Sequence, residues 1–189
     1  SAPVEKRALR RGIAGDYAVF KILSAAAEEG LDLDAVVAAG EYANARTSTI
    51  GVAFDGCTFP GATERLFTVP DGHMSLGLGV HGEPGITDLP LASAREIADL
   101  LLQQLVAERP ADSSSRIAVI VNGLGRTKWE ELFLLWGELA TRFDDLGLEP
   151  VEPEVGEIIT SLDMAGVSLT IVWLDDDLER FWRAPIDTT

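Results

Sequence analysis

Residues 117–143 read IAVIVNGLGRTKWEELFLLWGELATRF, and this stretch decides the fold class. Its first five residues are a continuous apolar run, which is typical of a strand buried on both faces of a sheet. Residues 122–125 follow as a turn, and Thr127 with Glu130 gives the pattern of a capping box. Apolar residues then recur at helical spacing until Gly147, where we expect the helix to end. A buried strand that leads into an amphipathic helix predicts an α/β fold.

The rest of the chain alternates between strand and helix patterns in the same way. Two Ala-rich helical segments come first and predict an antiparallel pair, and Ser93 with Glu96 gives a second capping box before a later helix. Because strands and helices interleave, we predict a mixed β-sheet flanked by helices. The remaining predicted helices span residues 12–29, 32–47, 93–109 and 178–182, and the remaining predicted strands span 48–54, 66–69, 73–80 and 167–173.

Length, charge and cysteine content restrict the possible classes of protein. A chain of 189 residues with 47% apolar side chains is expected to form one compact domain, here residues 12–189, after a short basic linker at 1–11. The net charge of -16 repels phosphate backbones and anionic lipid, so we expect neither nucleic acid nor membrane as a partner. The single cysteine suits a reducing compartment, and with no apolar leader in residues 1–11 we expect a cytoplasmic protein.

His81 carries the clearest chemical signal in the sequence. It follows a predicted strand in which glycines alternate with apolar residues, and Gly82 comes directly after it. Such glycines leave the imidazole accessible to a ligand, and a neutral imidazole serves as a base, a metal ligand or a nucleophile. Glu83 could orient the ring by accepting a hydrogen bond. The alternative is a histidine in a turn with a purely structural partner.

Metal-site patterns are weak. His73 and Asp71 could be combined with His81 and Glu83, but this spacing matches no zinc pattern, so we predict no metal site and an exposed turn position for His73. The acidic run at 175–177 is most simply the start of the last helix, where carboxylates suit the helix dipole.

Three other polar features have a structural interpretation beside a functional one. The turn at 122–125 could cradle a phosphate at a helix N-terminus, but the third glycine of a dinucleotide pattern is missing and a tight turn is favoured. Cys57 has no base beside it in sequence, so we expect a small buried residue rather than a nucleophile. Asp163 is interpreted as a cap or turn residue, with a polar contact as the alternative.

The stretch GLGVHGEPGI at residues 77–86 resembles the signature of the dihydroxyacetone kinase DhaK family. Four further stretches resemble parts of the same family, and together they cover nearly the whole chain. These stretches are RRGIAG at 10–15, GCTFPG at 56–61, VNGLG at 121–125 and TSLDMAG at 160–166.

This resemblance implies a role for His81. In that family the histidine attacks the carbonyl carbon of dihydroxyacetone and holds it as a hemiaminal while a terminal hydroxyl is phosphorylated. By position, His81 would be the catalytic residue, His81 and Gly82 would bind the substrate, and Glu83 would support the histidine. A covalent link to the carbonyl also separates a ketose from glycerol, which shape alone discriminates poorly.

The resemblance also implies an incomplete kinase. The family's DhaK unit is longer, and its first half carries a Ser-Gly-His-Glu-Pro segment and an acidic residue that assist phosphoryl transfer. We therefore expect this chain to be of the second-subdomain type, inactive on its own and without a cofactor of its own. ATP, or ADP on a phosphotransferase-linked partner, would bind with Mg on a separate DhaL-type domain, and the family pattern implies a homodimer.

The identity of the ketose and the role of the chain stay open at this point. Dihydroxyacetone is the substrate that the family resemblance implies, and a four-carbon ketose such as erythrulose is the alternative. A different class of function, a non-catalytic member that senses a ketose and regulates a partner, is also compatible with His81. A generic α/β interaction domain is the third interpretation.

Overall fold

The computed structural model describes residues 6, 10, 12–83 and 85–186, and here it has a seven-stranded sheet with helices on both faces. The strands are β1 (Thr47–Asp55), β2 (His73–Leu76), β3 (Thr87–Pro90), β4 (Arg116–Gly123), β5 (Glu149–Pro150), β6 (Glu154–Gly156) and β7 (Ala165–Trp173). The helices are α1 (Gly15–Glu28), α2 (Leu33–Ala45), α3 (Ala94–Val106), α4 (Trp129–Asp145) and α5 (Asp176–Trp182).

The sheet is mixed, as the interleaved strand and helix patterns predict. Its order is β3-β2-β1-β7-β4-β5, and β6 also pairs with β4. The strand β4 runs parallel to β5 and β6, whereas the other pairs are antiparallel. The α/β class with a mixed sheet flanked by helices is therefore confirmed.

The central strand β4 is buried on both faces, as its continuous apolar run predicts. Ile117, Val119 and Val121 belong to the core that α3 and α4 cover, and Ala118 and Ile120 belong to the core that α1, α2 and α5 cover. The alternation has a period of two because successive side chains of a strand point to opposite faces. This double burial fixes β4 and its neighbour β7 as the scaffold of the fold.

The start of α4 differs from the sequence prediction. The expected capping box of Thr127 and Glu130 does not form; instead the backbone N–H of Lys128 donates to the Glu131 carboxylate at 3.0 Å, one residue further on. The Thr127 hydroxyl is buried, donating to the carbonyl of Gly166 at 2.7 Å and accepting from its N–H at 3.0 Å. Thr127 therefore ties the start of α4 to β7 and is not available as a cap.

The structure differs from the sequence prediction at two strands: one does not form, and the other is shorter than predicted. Residues 66–69 form no strand, because this segment packs against the loops around it. The strand predicted over 73–80 ends at Leu76, where Gly77 takes a positive φ of 78°. The short strands β3, β5 and β6 have no sequence signal and were not predicted.

The structure confirms the predicted starts of two other helices. Asp32 accepts a hydrogen bond from the N–H of Ala35 at 2.9 Å and so begins α2. Ser93 and Glu96 form the predicted capping box of α3.

Most of the predicted linker at 1–11 lies outside the described residues, but Arg10 pairs with Glu108 at 2.5 Å. Across the residues described, the longest apolar helical stretch falls short of what a bilayer crossing requires.

Candidate functional site

The five stretches that resemble the DhaK family meet in one small apolar cluster. Each stretch contributes one buried side chain, and Ala53 of β1 completes the group. Ala53 points to the sheet face that α1 covers, since its neighbour Val52 packs in the opposite core. The five contributed residues are Ile13, Cys57, Leu78, Leu124 and Met164. Loops far apart in sequence are thus held together at one place on the sheet.

His81 lies at the tip of the loop that joins β2 to β3. The loop is closed at its base by the N–H of Ile86, which donates to the carbonyl of Leu76 at 2.7 Å. Within it, residues 79–82 form a turn in which the N–H of Gly82 donates to the carbonyl of Gly79 at 3.1 Å. As the third residue of this turn, His81 has 84% of its side chain exposed. The imidazole is therefore presented to solvent, where a small ligand can reach it.

Glu83 contacts both the backbone and the ring of His81. One carboxylate oxygen accepts a hydrogen bond from the His81 N–H at 3.0 Å, and the other lies 3.5 Å from Nδ1. Burial raises the pKa of Glu83, but hydrogen bonds from the backbone N–H groups of Glu83 and His81 lower it, and the pKa ends below its ordinary value. An ionised Glu83 therefore contacts both the turn and the imidazole, and its role in orienting the ring stays a prediction. Residue 84 of this motif lies outside the described residues.

The stretch at 160–166 is joined to the stretch at 56–61. The N–H of Thr58 donates to the Asp163 carboxylate at 2.5 Å, and this bond lowers the pKa of Asp163. Asp163 lies in a turn, as favoured, in which the N–H of Met164 donates to the carbonyl of Ser161 at 3.0 Å, and it also makes the polar contact that was the alternative. Cys57 is buried, as expected, and its Sγ lies 3.8 Å from the Ser161 hydroxyl.

Asn122 has a role that the sequence analysis did not find. It lies in β4, which continues through Gly123, so the turn predicted at 122–125 begins later. Its fully buried side chain accepts from the N–H groups of Ile158 and Ile159 at 2.9 and 2.8 Å, and donates to the carbonyl of Ile159 and the hydroxyl of Ser168. A single polar residue in an apolar strand is the signal that points to such a bridge.

The weaker candidates are placed apart from His81. His73 begins β2, is exposed, and its Nδ1 lies 2.9 Å from the carbonyl of Asp71. Asp175 caps α5 by accepting from the N–H of Leu178 at 2.9 Å, in agreement with a helix start at 175–177. Among the described residues, three or more His, Cys, Asp or Glu side chains do not come together in a way that could hold a metal ion.

A cavity of about 480 Å³ lies on the other face of the sheet. Its walls come from the first turns of α3 and α4 and from β7, including Ile97, Leu132, Leu135 and Val167. Arg126 also lines it. Because Ile97, Leu132 and Val167 belong to the core beneath α3 and α4, this cavity is separate from the surface that presents His81.

A family model, the Dak1 domain, matches residues 1–189. The chain is 60% identical over 188 residues to the D-erythrulose kinase of Mycolicibacterium smegmatis, with 100% of this chain and 32% of that protein covered. It is 54% identical to the L-erythrulose kinase of Pectobacterium atrosepticum, with 99% and 32% covered. It is 38% identical to the dihydroxyacetone-binding subunit DhaK of the PTS-dependent dihydroxyacetone kinase 2 of Listeria innocua, with 95% and 54% covered. The chain thus spans about a third of the erythrulose kinases and about half of the DhaK subunit.

Two solved structures have the same fold over most of this chain. The dihydroxyacetone kinase operon co-activator Dha-DhaQ superposes with a TM-score of 0.84 at 30% identity, covering 92% of this chain and 54% of that one. The dihydroxyacetone kinase of C. freundii superposes with a TM-score of 0.81 at 31% identity, covering 92% and 32%.

Proposed function

The chain belongs to the dihydroxyacetone kinase DhaK family, and from this premise we propose that it is the ketose-binding part of a kinase for a small ketose. The observation that carries the proposal is the exposed imidazole of His81. It stands at the tip of a hairpin loop whose Leu78 packs in the cluster where all five family stretches meet. A reactive side chain on a loop that a rigid sheet positions is a common arrangement in enzymes.

The proposed substrate is erythrulose rather than dihydroxyacetone. The family resemblance alone points to dihydroxyacetone, but the similarity at 60% and 54% is to erythrulose kinases, and the similarity to a DhaK subunit is lower, at 38%. The four-carbon alternative is therefore better supported than the first expectation. These relatives include a D-erythrulose kinase and an L-erythrulose kinase, so both enantiomers must be tested as substrates.

In the proposed mechanism, the unprotonated ring nitrogen of His81 attacks the carbonyl carbon of the ketose. A nitrogen–carbon bond forms, the π electrons move to the carbonyl oxygen, and that oxygen gains a proton while the other ring nitrogen loses one. The resulting hemiaminal holds the ketose while a terminal hydroxyl accepts the phosphoryl group, and the reverse reaction releases the product. His81 must be neutral to attack, and Glu83 would hold its turn in place.

The phosphoryl donor and the partners are proposed to lie outside this chain. We propose that ATP, or ADP on a phosphotransferase-linked partner, binds with Mg on a DhaL-type domain, and that the DhaK half missing here supplies acid and base groups. The name of the PTS-dependent DhaK subunit supports a phosphotransferase relay for that relative. The D-erythrulose kinase is a longer protein, since this chain covers 32% of it but 54% of the DhaK subunit. A homodimer stays a prediction from the family pattern.

A regulatory role is the second candidate function. It is favoured by the superposition with the co-activator Dha-DhaQ, a protein whose name describes regulation rather than catalysis. A sensor of this kind would capture the ketose at His81 but would not pass it to a phosphoryl donor.

Two experiments test the proposal. Carbonyl-labelled [13C]erythrulose and [13C]dihydroxyacetone are added separately to the chain and to its His81→Ala variant, and the carbon spectrum is recorded. We expect a protein-bound tetrahedral carbon that is strongest with erythrulose and absent in the variant. A chimera in which residues 1–189 replace the matching segment of the M. smegmatis kinase is then assayed for erythrulose phosphorylation. Capture without turnover in the chimera would favour the sensor, and neither capture nor turnover would contradict both candidates.

A further inference from the structure

The turn that carries His81 is held from within by local hydrogen bonds. Among the described residues, backbone bonds join Gly82 to Gly79 at 3.1 Å and Gly79 to the carbonyl of Glu83 at 3.3 Å, and the Glu83 carboxylate accepts from the N–H of His81 at 3.0 Å. A solvent-exposed turn that is held by such local bonds is expected to fluctuate unless other parts of the molecule restrain it. The restraint matters, because a nucleophile must meet its target atom in a narrow range of distance and angle.

An external restraint is visible at Gly82. This residue has a φ of 77°, and a Cβ built on it would lie 2.8 Å from Cδ2 of Leu66 and 3.2 Å from Cδ1 of Phe67. The backbone directly after His81 therefore lies so near these two side chains that a side chain at position 82 would crowd them. Leu66 and Phe67 belong to the segment that the sequence predicts, wrongly, to be a strand.

The segment that carries Leu66 and Phe67 is itself fixed to the scaffold. The N–H of Leu66 donates to the carbonyl of Cys57 at 2.8 Å, and Arg65 forms an ion pair with Asp55 at the end of β1. The Phe67 ring packs against the small apolar cluster.

The backbone of Phe67 is equally confined. Its carbonyl oxygen lies where a Cβ of Gly56 would stand. Position 56, in the loop that follows β1, therefore accepts only glycine as long as the Phe67 carbonyl keeps this place. The stretch at 56–61 is thus connected to the His81 turn through Phe67.

We propose that Leu66 and Phe67 are positioning residues for His81. These two side chains hold the turn at 79–82 in a fixed position relative to the apolar cluster. The inference rests on the proposed function, since positioning matters only if His81 captures a ketose. Leu66 is the better residue to test, because it is 45% exposed, whereas Phe67 also packs against the cluster.

The test compares Leu66→Ala with Leu146→Ala, a matched control that truncates a leucine of 48% exposure at the end of α4. The backbone order parameter of Gly82 is measured by 15N relaxation without ligand, and capture of [13C]erythrulose is titrated. For Leu66→Ala we expect the order parameter to fall from about 0.85 toward 0.6, and capture to weaken by about tenfold. Leu146→Ala and the conservative Leu66→Met should keep both values, and urea unfolding should show similar stability for the two alanine variants.

The outcomes separate this inference from the proposed function. An unchanged order parameter for Gly82 in Leu66→Ala overturns the positioning role, as does a looser turn that captures the ketose as well as before. If the unsubstituted chain and the chimera show no capture at all, the proposed function fails. The order parameter then still decides whether Leu66 restrains the turn.

Discussion

The central strands and the His81 hairpin tip are built in opposite ways. Strands β4 and β7 pair continuously from Ile117 opposite Trp173 to Gly123 opposite Val167, and nearly every residue in them is buried. In the part of the chain that the structure describes, the tip at 79–82 has two backbone hydrogen bonds, an exposed imidazole, and a distant segment packed close to it. The scaffold is held by a regular ladder and by burial, whereas the tip is held by a few specific contacts. Stability and ketose capture should therefore respond to different substitutions.

The largest expected effect is at Asn122, whose buried side chain joins the central strand β4 to the segment at Ile158 and Ile159. Asn122→Ala removes four hydrogen bonds and leaves the N–H groups of Ile158 and Ile159 without their acceptor. We expect a loss of about 2–4 kcal/mol in the free energy of unfolding, measured in urea. Asn122→Asp should be at least as destabilising, because it buries a carboxylate and replaces the N–H group that donates to the Ile159 carbonyl. Equal stability of the alanine variant and the unsubstituted chain would break the view that this buried amide links scaffold and loops.

The next effect separates backbone strain from contact at the tip. Gly82 and Gly30 have similar positive φ values of 77° and 82°, but a Cβ on Gly30 would meet nothing within 4 Å. Gly30→Ala should therefore cost about 1–2 kcal/mol of unfolding free energy through strain alone, with capture unchanged. Gly82→Ala should show a similar cost and, because the new methyl group meets Leu66, a much weaker capture of [13C]erythrulose. Equal capture by both variants would mean that the tip tolerates displacement.

The smallest effect concerns Glu83 and acid. Because its pKa in the folded chain is lowered, the stabilisation that the carboxylate gives is fully present above the ordinary pKa of a glutamate and is lost as the pH falls through the lowered value. The amide proton shift of His81, which reports its bond to Glu83, should titrate in that acidic range. The contribution is about 1 kcal/mol or less. In Glu83→Gln the titration should disappear, and a flat shift in the unsubstituted chain would contradict the contact.

The scaffold was largely predictable from the sequence because its patterns are local. The apolar run that begins at Ile117 and the capping box at Ser93 each report a structure within a few residues. The strand predicted at residues 66–69 is wrong because this segment packs against loops and does not pair with a strand. The capping box predicted at Thr127 is wrong because the Thr127 hydroxyl binds Gly166, which is distant in sequence.

The site was predictable only in part. The resemblance at 77–86 pointed to His81 and Glu83, and the structure places their side chains side by side. The contact of Leu66 with Gly82 and the bonds of Asn122 to the segment near Ile159 could not be found in the same way. Such contacts join residues far apart in the chain and leave no periodic pattern in the sequence.

The small apolar cluster has a consequence for folding kinetics. Ile13 and Met164 come from nearly opposite ends of the described chain, and both must arrive before the cluster closes. Closing so long a loop is entropically unfavourable until the strands between them have paired. The hairpin that carries His81 should therefore reach its final position late in folding. A partly folded chain would then already contain much of its sheet and still be unable to capture a ketose.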